Sequence, residues 1–512
     1  MRTTPIAALV ALALPIGLAA QQAALDAAAR TITEADYLRR VGVIAHDSMH
    51  GRDTPSEGLE KTAAWIASEF RQFGLRGGAS DGGFLQRYPL RYLVVDLERS
   101  GLSGGARRLG YGADVAPLFG ADAGGEVTAR LVVVSGSDDV ARGLADGAVR
   151  GQHAVLVLQQ AAAGIDDASL RLALTLRNAG AASVLVTTSM RDADWASTAA
   201  RSMQPTVEKG WEPAGGVAGA FRPILLVRTS SLEELLRETS IGLGALQRRS
   251  GEAVRVDRVS RLRLTLTQRA REESITAPNV VAALEGSDPV LRDEYVVFSA
   301  HMDHVGLGTP DQNGDSIFNG ADDDASGTIA VVEIAEAMAS LATRPRRSML
   351  FVLVSGEEKG LWGSEYFADN SPIPVERLVA NLNMDMVGRN WTDTIVAIGK
   401  EHSDLGATLE RVNAARPELR MTAIDDLWPQ ESFYTRSDHY NFARKGVPIL
   451  FFFNGTHADY HGLDDEVERI DGEKAARIAR LVFYLGAEIG NNTERPGWNP
   501  ESYAAIVGAR AR

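Results

Sequence analysis

From Ala277 to Gly486 the chain alternates short, almost wholly apolar runs with longer stretches whose apolar residues recur every three or four positions. VVAALEG, YVVFSA, SMLFVLVS, LVANLNM, TIVAIG and PILFFF read as strands. GTIAVVEIAEAMASLA, GSEYFADN, LGATLERVNAA and GEKAARIARLVFYLGAEI read as helices. This order predicts an α/β domain over 255–490, with a mostly parallel sheet between helical layers. Strands that are apolar throughout belong to a sheet covered on both faces.

Upstream, the pattern changes twice. In GRDTPSEGLEKTAAWIASEFRQFGL, Ser56 precedes Leu59, Ala63, Ile66 and Phe70 at helical spacing, and Gly74 ends the run. This helix anchors an N-terminal segment over 25–115. His46 and His50, four apart just before it, have no accompanying carboxylate pattern and read as polar residues at a helix end. Between 120 and 245, ARLVVVSG, HAVLVLQQ, ASVLVTTS and PILLVRTS are separated by Gly- and Ala-rich links, with a helix at about 167–178. No His or Glu cluster accompanies these runs, so the stretch reads as a small β-rich domain without chemistry of its own, and His153 as structural. Residues 231–247 read as another helix, Arg261–Gln268 as a half-exposed strand, and 491–512 as a tail.

Composition narrows the possibilities. A length of 512 residues exceeds one ordinary core and predicts two or three domains. A net charge of −14 argues against nucleic acid as a partner. Arg2, the apolar stretch Ile6–Leu18 and the small residues Ala19 and Ala20 have the form of a secretory signal over 1–20. The stretch falls short of the roughly 20 residues a membrane span needs. The expectation is export to the periplasm or the extracellular medium, with no span left after cleavage. With no cysteine in the sequence, any metal must be held by His, Asp and Glu.

Those residue types collect where the predicted sheet would present them. In an open α/β sheet, ligands bind beyond the carboxyl ends of the strands. His301 follows YVVFSA, Glu357 and Glu358 follow SMLFVLVSG, Asp385 ends LVANLNM, and His461 lies beyond PILFFF. Asp322, Asp323 and Asp324 open the helix that begins near Gly327. Each feature alone has a plain structural reading: surface charge for the Glu pair, or helix capping for the aspartates. Five of them at five strand or helix ends point to a metal site, and imidazoles with carboxylates suit catalytic zinc.

The motifs SAHMDHVG, NGADDDASG, SGEEKGLWGS, NLNMDMVGR, SDHYNFARKGVP and DYHGLDDEVERID resemble those of the co-catalytic zinc aminopeptidases, a superfamily that includes glutamate carboxypeptidase II and the transferrin receptor. The resemblance runs from about Asn279 to Gly486. It implies a three-layer zinc-exopeptidase fold, and it likens the 120–245 stretch to a protease-associated domain insertion. It also implies two zinc ions, one bound by His301 and Asp385, the other by Glu358 and His461, with Asp323 bridging. Asp303 would orient His301, Glu357 would be the general base for a bridging hydroxide, and Tyr460 would stabilise the oxyanion. His304 is not a ligand in that family, and Asp438 and Asp465 would support the site. Trp428, Phe433 and Tyr434 are candidate walls of a specificity pocket.

The implied activity is removal of N-terminal residues from peptides. A carboxypeptidase or dipeptidase on the same site is the first alternative. A non-catalytic binding protein is the second, disfavoured because the ligand set is intact.

Overall fold

The computed structural model describes residues 20–104, 106–118, 124–135, 147–157, 165–212, 221–237 and 255–508. The signal-like segment up to residue 19 lies outside the described residues, as does the 238–247 part of the helix expected over 231–247, whose first part falls in the helix Thr229–Leu236. The chain divides into two compact units, one formed by Met1–Tyr88 with Thr276–Arg512, the other by Pro89–Ile275.

The first unit is built on a mixed sheet. Its strands are the end of β1 (Arg255–Leu284), then β2 (Tyr295–His301), β3 (Ser348–Val354), β4 (Leu378–Met384), β5 (Thr394–Ile398), β6 (Thr422–Ile424) and β7 (Ile449–Phe453). The spatial order is β1–β3–β2–β4–β7–β5–β6. Its centre, β3–β2–β4–β7, is parallel throughout, and antiparallel pairs occur at β1–β3 and β7–β5. Every residue of β2, β3, β4 and β7 is buried, as the unbroken apolar runs predict.

Helices α1 (Glu34–Ile44), α2 (Glu57–Gln72), α3 (Gly327–Ala339) and α7 (Gly472–Asn491) pack together on one side, with α3 and α7 against the central strands. Helices α4 (Trp362–Asp369) and α6 (His439–Ala443) pack on the sheet through Phe367 and Phe442, which join Val297, Val352 and Phe451 in one core. Helix α5 (Leu405–Ala414) lies against α7. Ser56 caps α2 by accepting the Leu59 N–H, and Leu59, Ala63, Ile66 and Phe70 are buried, as their spacing predicts. Gly486 of α7 has no room for a side chain, since a Cβ would lie 2.2 Å from the Phe298 ring of β2.

The second unit is wider than the 120–245 stretch that reads as β-rich. It includes strands Gly101–Gly104, Arg107–Gly110 and Val115–Pro117, and the first part of β1, which pairs antiparallel with Gly124–Ser135. The four apolar runs form strands that are parallel neighbours in chain order, from Gly124–Ser135 through His153–Leu156 and Ser183–Thr188 to Ile224–Arg228. Helices Asp167–Asn178 and Asp192–Ser202 belong to this unit, the second unanticipated from the sequence. His153 is buried, bonded to Ser183 Oγ and the Leu264 carbonyl, as a structural histidine should be.

Candidate metal centre

The parallel centre of the sheet delivers its chemistry at one edge. His301 is the last residue of β2, Asp385 follows β4, and Gly356–Glu357–Glu358 follow β3 after Ser355. His461 stands in the loop after β7. The three aspartates fill the turn Ala321–Ser326 that leads into α3.

These side chains form two groups that share one member. His301 Nε2 lies 3.3 Å from Asp323 Oδ1 and 3.7 Å from Asp385 Oδ1. His461 Nε2 lies 3.0 Å from Asp323 Oδ2 and 3.2 Å from Glu358 Oε2. Asp323 therefore turns one oxygen to each group. A tetrahedral ion with ligands at about 2.0–2.1 Å separates neighbouring ligand atoms by about 3.3 Å, which is close to these spacings. Against burial, which lowers it, the Asp323 and Glu358 carboxylates push His461 up to about 10. Protons therefore collect where the carboxylates demand positive charge, and a metal would compete with them. Glu358 Oε1 is buried with no hydrogen-bond partner among the described residues. The donor set fits a divalent ion in each group.

Glu357 borders the same space. It lines a cavity with His301, Asp323, Asp385, Tyr460, Arg436, Phe433, Phe451 and Phe453. Burial pushes its carboxyl well above the usual range, and Asp438, Asp385 and Glu358 add to the rise while His301 opposes it. Tyr460 is partly exposed, and burial of its hydroxyl keeps it protonated. Of the expected pocket walls, Phe433 reaches this cavity. Trp428 packs on Phe433 and Phe453 behind it, and Tyr434 packs on His402 and His439.

Asp303 departs from its expected contact. His301 Nδ1 is 3.2 Å from the Asp303 backbone carbonyl and 3.6 Å from its carboxylate. The carboxylate is occupied elsewhere, accepting the Gly356 N–H at 2.7 Å, the Thr54 hydroxyl at 2.9 Å and the Glu357 N–H at 3.3 Å. Asp303 thus orients His301 through its main chain and fixes the Glu357 turn through its side chain.

The remaining carboxylates shape the loops. Asp465 accepts the N–H groups of Asp322 and Asp323, both at 3.1 Å. Asp322 accepts the Gly388 N–H, and Asp324 accepts the N–H groups of Gly327 and Met386. Ser437 donates to Asp385 Oδ2 at 2.8 Å, and the buried Asp438 beside it is pushed up to about 7 by burial. His46 caps the turn after it through the Ser48 N–H, and His50 sits in that same turn.

Two residues that sequence reasoning passed over are central here. Arg52 is fully buried and donates to the carbonyls of Ile44, Met302, Asn319 and Gly320. Its partners are backbone atoms, which leave no sequence signal. His304, set aside by resemblance, places Nδ1 2.9 Å from Glu358 Oε1 and 3.6 Å from Asp323 Oδ2. Arg52, Met386 and His461 all have left-handed backbone (φ +53°, +56° and +53°). Such strain in residues with side chains costs of order 1–3 kcal/mol and gathers at functional sites.

A mixed α/β sheet bearing overlapping carboxylate–imidazole groups at its parallel strand ends defines a domain built around a metal centre. Residues 279–486 match the profile of Peptidase family M28. The chain is 28% identical over 261 residues to a "Probable zinc metalloprotease" of Leptosphaeria maculans, covering 43% of this chain and 58% of that protein. It is 26% identical over 220 residues to a "Probable leucine aminopeptidase" of Arthroderma otae, covering 41% and 57%. The chain thus spans somewhat more than half the length of these relatives. An aminopeptidase from Aneurinibacillus sp. strain AM-1 shares the fold, with a TM-score of 0.52, 18% identity, and coverage of 92% of this chain and 97% of that one.

Proposed function

We propose that the protein is an exported zinc-dependent exopeptidase, acting as an aminopeptidase on peptides. The observation that carries this reading is Asp323 presenting one oxygen to each of two ligand groups, beside a buried glutamate that lines a cavity. His301 and Asp385 would hold one zinc, Glu358 and His461 the other, and Asp323 would bridge them. Two ions so placed supply an acidified water and a Lewis acid for the scissile carbonyl.

The chain does the rest. Glu357 accepts the proton of the attacking water and returns it to the leaving amine, a role suited to a carboxyl raised by burial. Asp303 holds the turn that aims Glu357. Tyr460 donates its hydroxyl to the developing oxyanion. Phe433, Phe451 and Phe453 receive an apolar substrate side chain.

Replacing Glu357 by Gln should leave two zinc equivalents bound and remove turnover; a fully active variant overturns the assignment. Peptides with a free amino terminus should be cleaved and their acetylated forms spared. A dipeptidase is the second reading, favoured by one observation: Arg436 lines the cavity, its guanidinium stacked on Phe433 at 4.7 Å, from where it would pair with a substrate carboxylate. Loss of activity on carboxyl-amidated dipeptides would select it. The signal-like start of the sequence supports export, tested by the amino-terminal sequence of secreted protein. The inserted unit is proposed to be a protease-associated-like domain.

A further inference from the structure

We propose that His304 is a fourth protein ligand on the Glu358–His461 side of the centre, so that the two metal positions differ in kind. One is closed by four side chains, Asp323, His304, Glu358 and His461; the other is left open by three, His301, Asp323 and Asp385. This rests on the two-metal reading above and adds an asymmetry to it.

Geometry carries the argument. One ligand atom from each of the four residues falls within 4.8 Å of all the others. The His304 ring is fully buried, and neither of its nitrogens has a hydrogen-bond partner among the described residues. Its Nδ1 and Glu358 Oε1 are 2.9 Å apart, yet both are unsatisfied, so the pair is close without being aligned to share a proton. Leaving a buried polar atom without a partner is costly, and an ion between the two would satisfy both.

The fold makes room for this ring at a specific point. Gly320 has φ +56°, and a Cβ there would stand 2.5 Å from His304 Cγ. Any side chain at Gly320 would push the imidazole away from Glu358.

An independent observation separates the two positions. The cavity beside Glu357 is lined by His301, Asp323 and Asp385, whereas His304, Glu358 and His461 do not line it. Structural zinc sites are closed by four protein ligands, and catalytic ones keep a position free. The three-residue position is thus the one that faces substrate, and the four-residue position is the tighter anchor, filled first.

Stepwise Co(II) titration of the metal-free full-length chain tests this, read by visible absorption and by X-ray absorption at one equivalent. The wild-type protein should fill in two steps, the first ion tetrahedral with two imidazoles. In His304→Ala and His304→Asn, first-step affinity should fall by more than about 100-fold, beyond the 10–100-fold typical of losing a residue that only orients a ligand. The imidazole count at one equivalent should drop to one. A single imidazole at the first wild-type position, or folded variants with unchanged affinity and spectrum, overturns the proposal while leaving two-metal binding intact. The wild-type count decides the matter even where the variants fail to fold. A wild-type chain that binds no Co(II) or Zn(II) overturns both this proposal and the two-metal reading.

Discussion

Replacing Arg52 by Met tests how the centre is supported from outside its own motifs. The guanidinium donates to four main-chain carbonyls: Met302, Ile44 and Gly320 at 2.9 Å each, and Asn319 at 2.6 Å. Met fills much the same volume without donors. Each abandoned carbonyl costs about 1 kcal/mol when buried. Burial disfavours the guanidinium charge more than the carboxylates of Asp303, Asp323, Asp465 and Asp324 favour it, so relief of that cost offsets part of the loss. The expected loss is at most about 4 kcal/mol, or about 8 °C in the melting of the unit that holds the site, at roughly 2 °C per kcal/mol for a large domain. Met302 and Asn319–Gly320 flank His301, His304 and Asp323, so zinc affinity should fall as well. Calorimetry with and without zinc measures both. A melting shift below about 2 °C with unchanged zinc affinity would refute the reasoning.

Because Asp323 alone belongs to both groups, on the proposed two-zinc reading Asp323→Asn should cost both equivalents, whereas Asp385→Asn should cost one; equal metal content in the two variants would contradict the bridging role. Tyr460→Phe should reduce kcat about 100-fold or more with little change in stability, the effect of losing one oxyanion donor; an unchanged kcat would remove Tyr460 from the chemistry. Burial draws the Lys474 ammonium down from 10.5 to about 8. Between those values the unfolded chain binds more protons than the folded one, so stability at this position rises with pH, by up to about 3 kcal/mol across the window. Lys474→Met should abolish that rise, and parallel melting-versus-pH curves for the two proteins would count against it.

The central strands were legible because burial on both faces leaves an unbroken apolar run, as in SMLFVLVS and PILFFF. β1 was not legible as one strand. Its middle, Arg271–Ser274, is exposed and polar, so the sequence shows only its two apolar ends. The short strands between Gly101 and Pro117 are set by their antiparallel partners and have too few residues to show a period. In the site, His301, Glu357, Glu358, Asp385 and His461 could be picked out because strand ends converge in an α/β sheet, whereas the family resemblance alone singles Asp323 out from Asp322 and Asp324. Arg52 bonds only carbonyls, and the inward turn of His304 depends on the missing side chain of Gly320. Neither dependence is written in residue types.

The Arg52 clamp also sets an order of events during synthesis. Three of its four acceptors are 250 to 268 residues further along the chain, beyond the whole of the inserted unit. At about 5–20 residues per second, they leave the ribosome roughly 10–50 s after Arg52 does. His461 follows later still. A nascent chain can fold its inserted unit while the centre that would cut peptides does not yet exist, so the centre is assembled only once synthesis has passed His461.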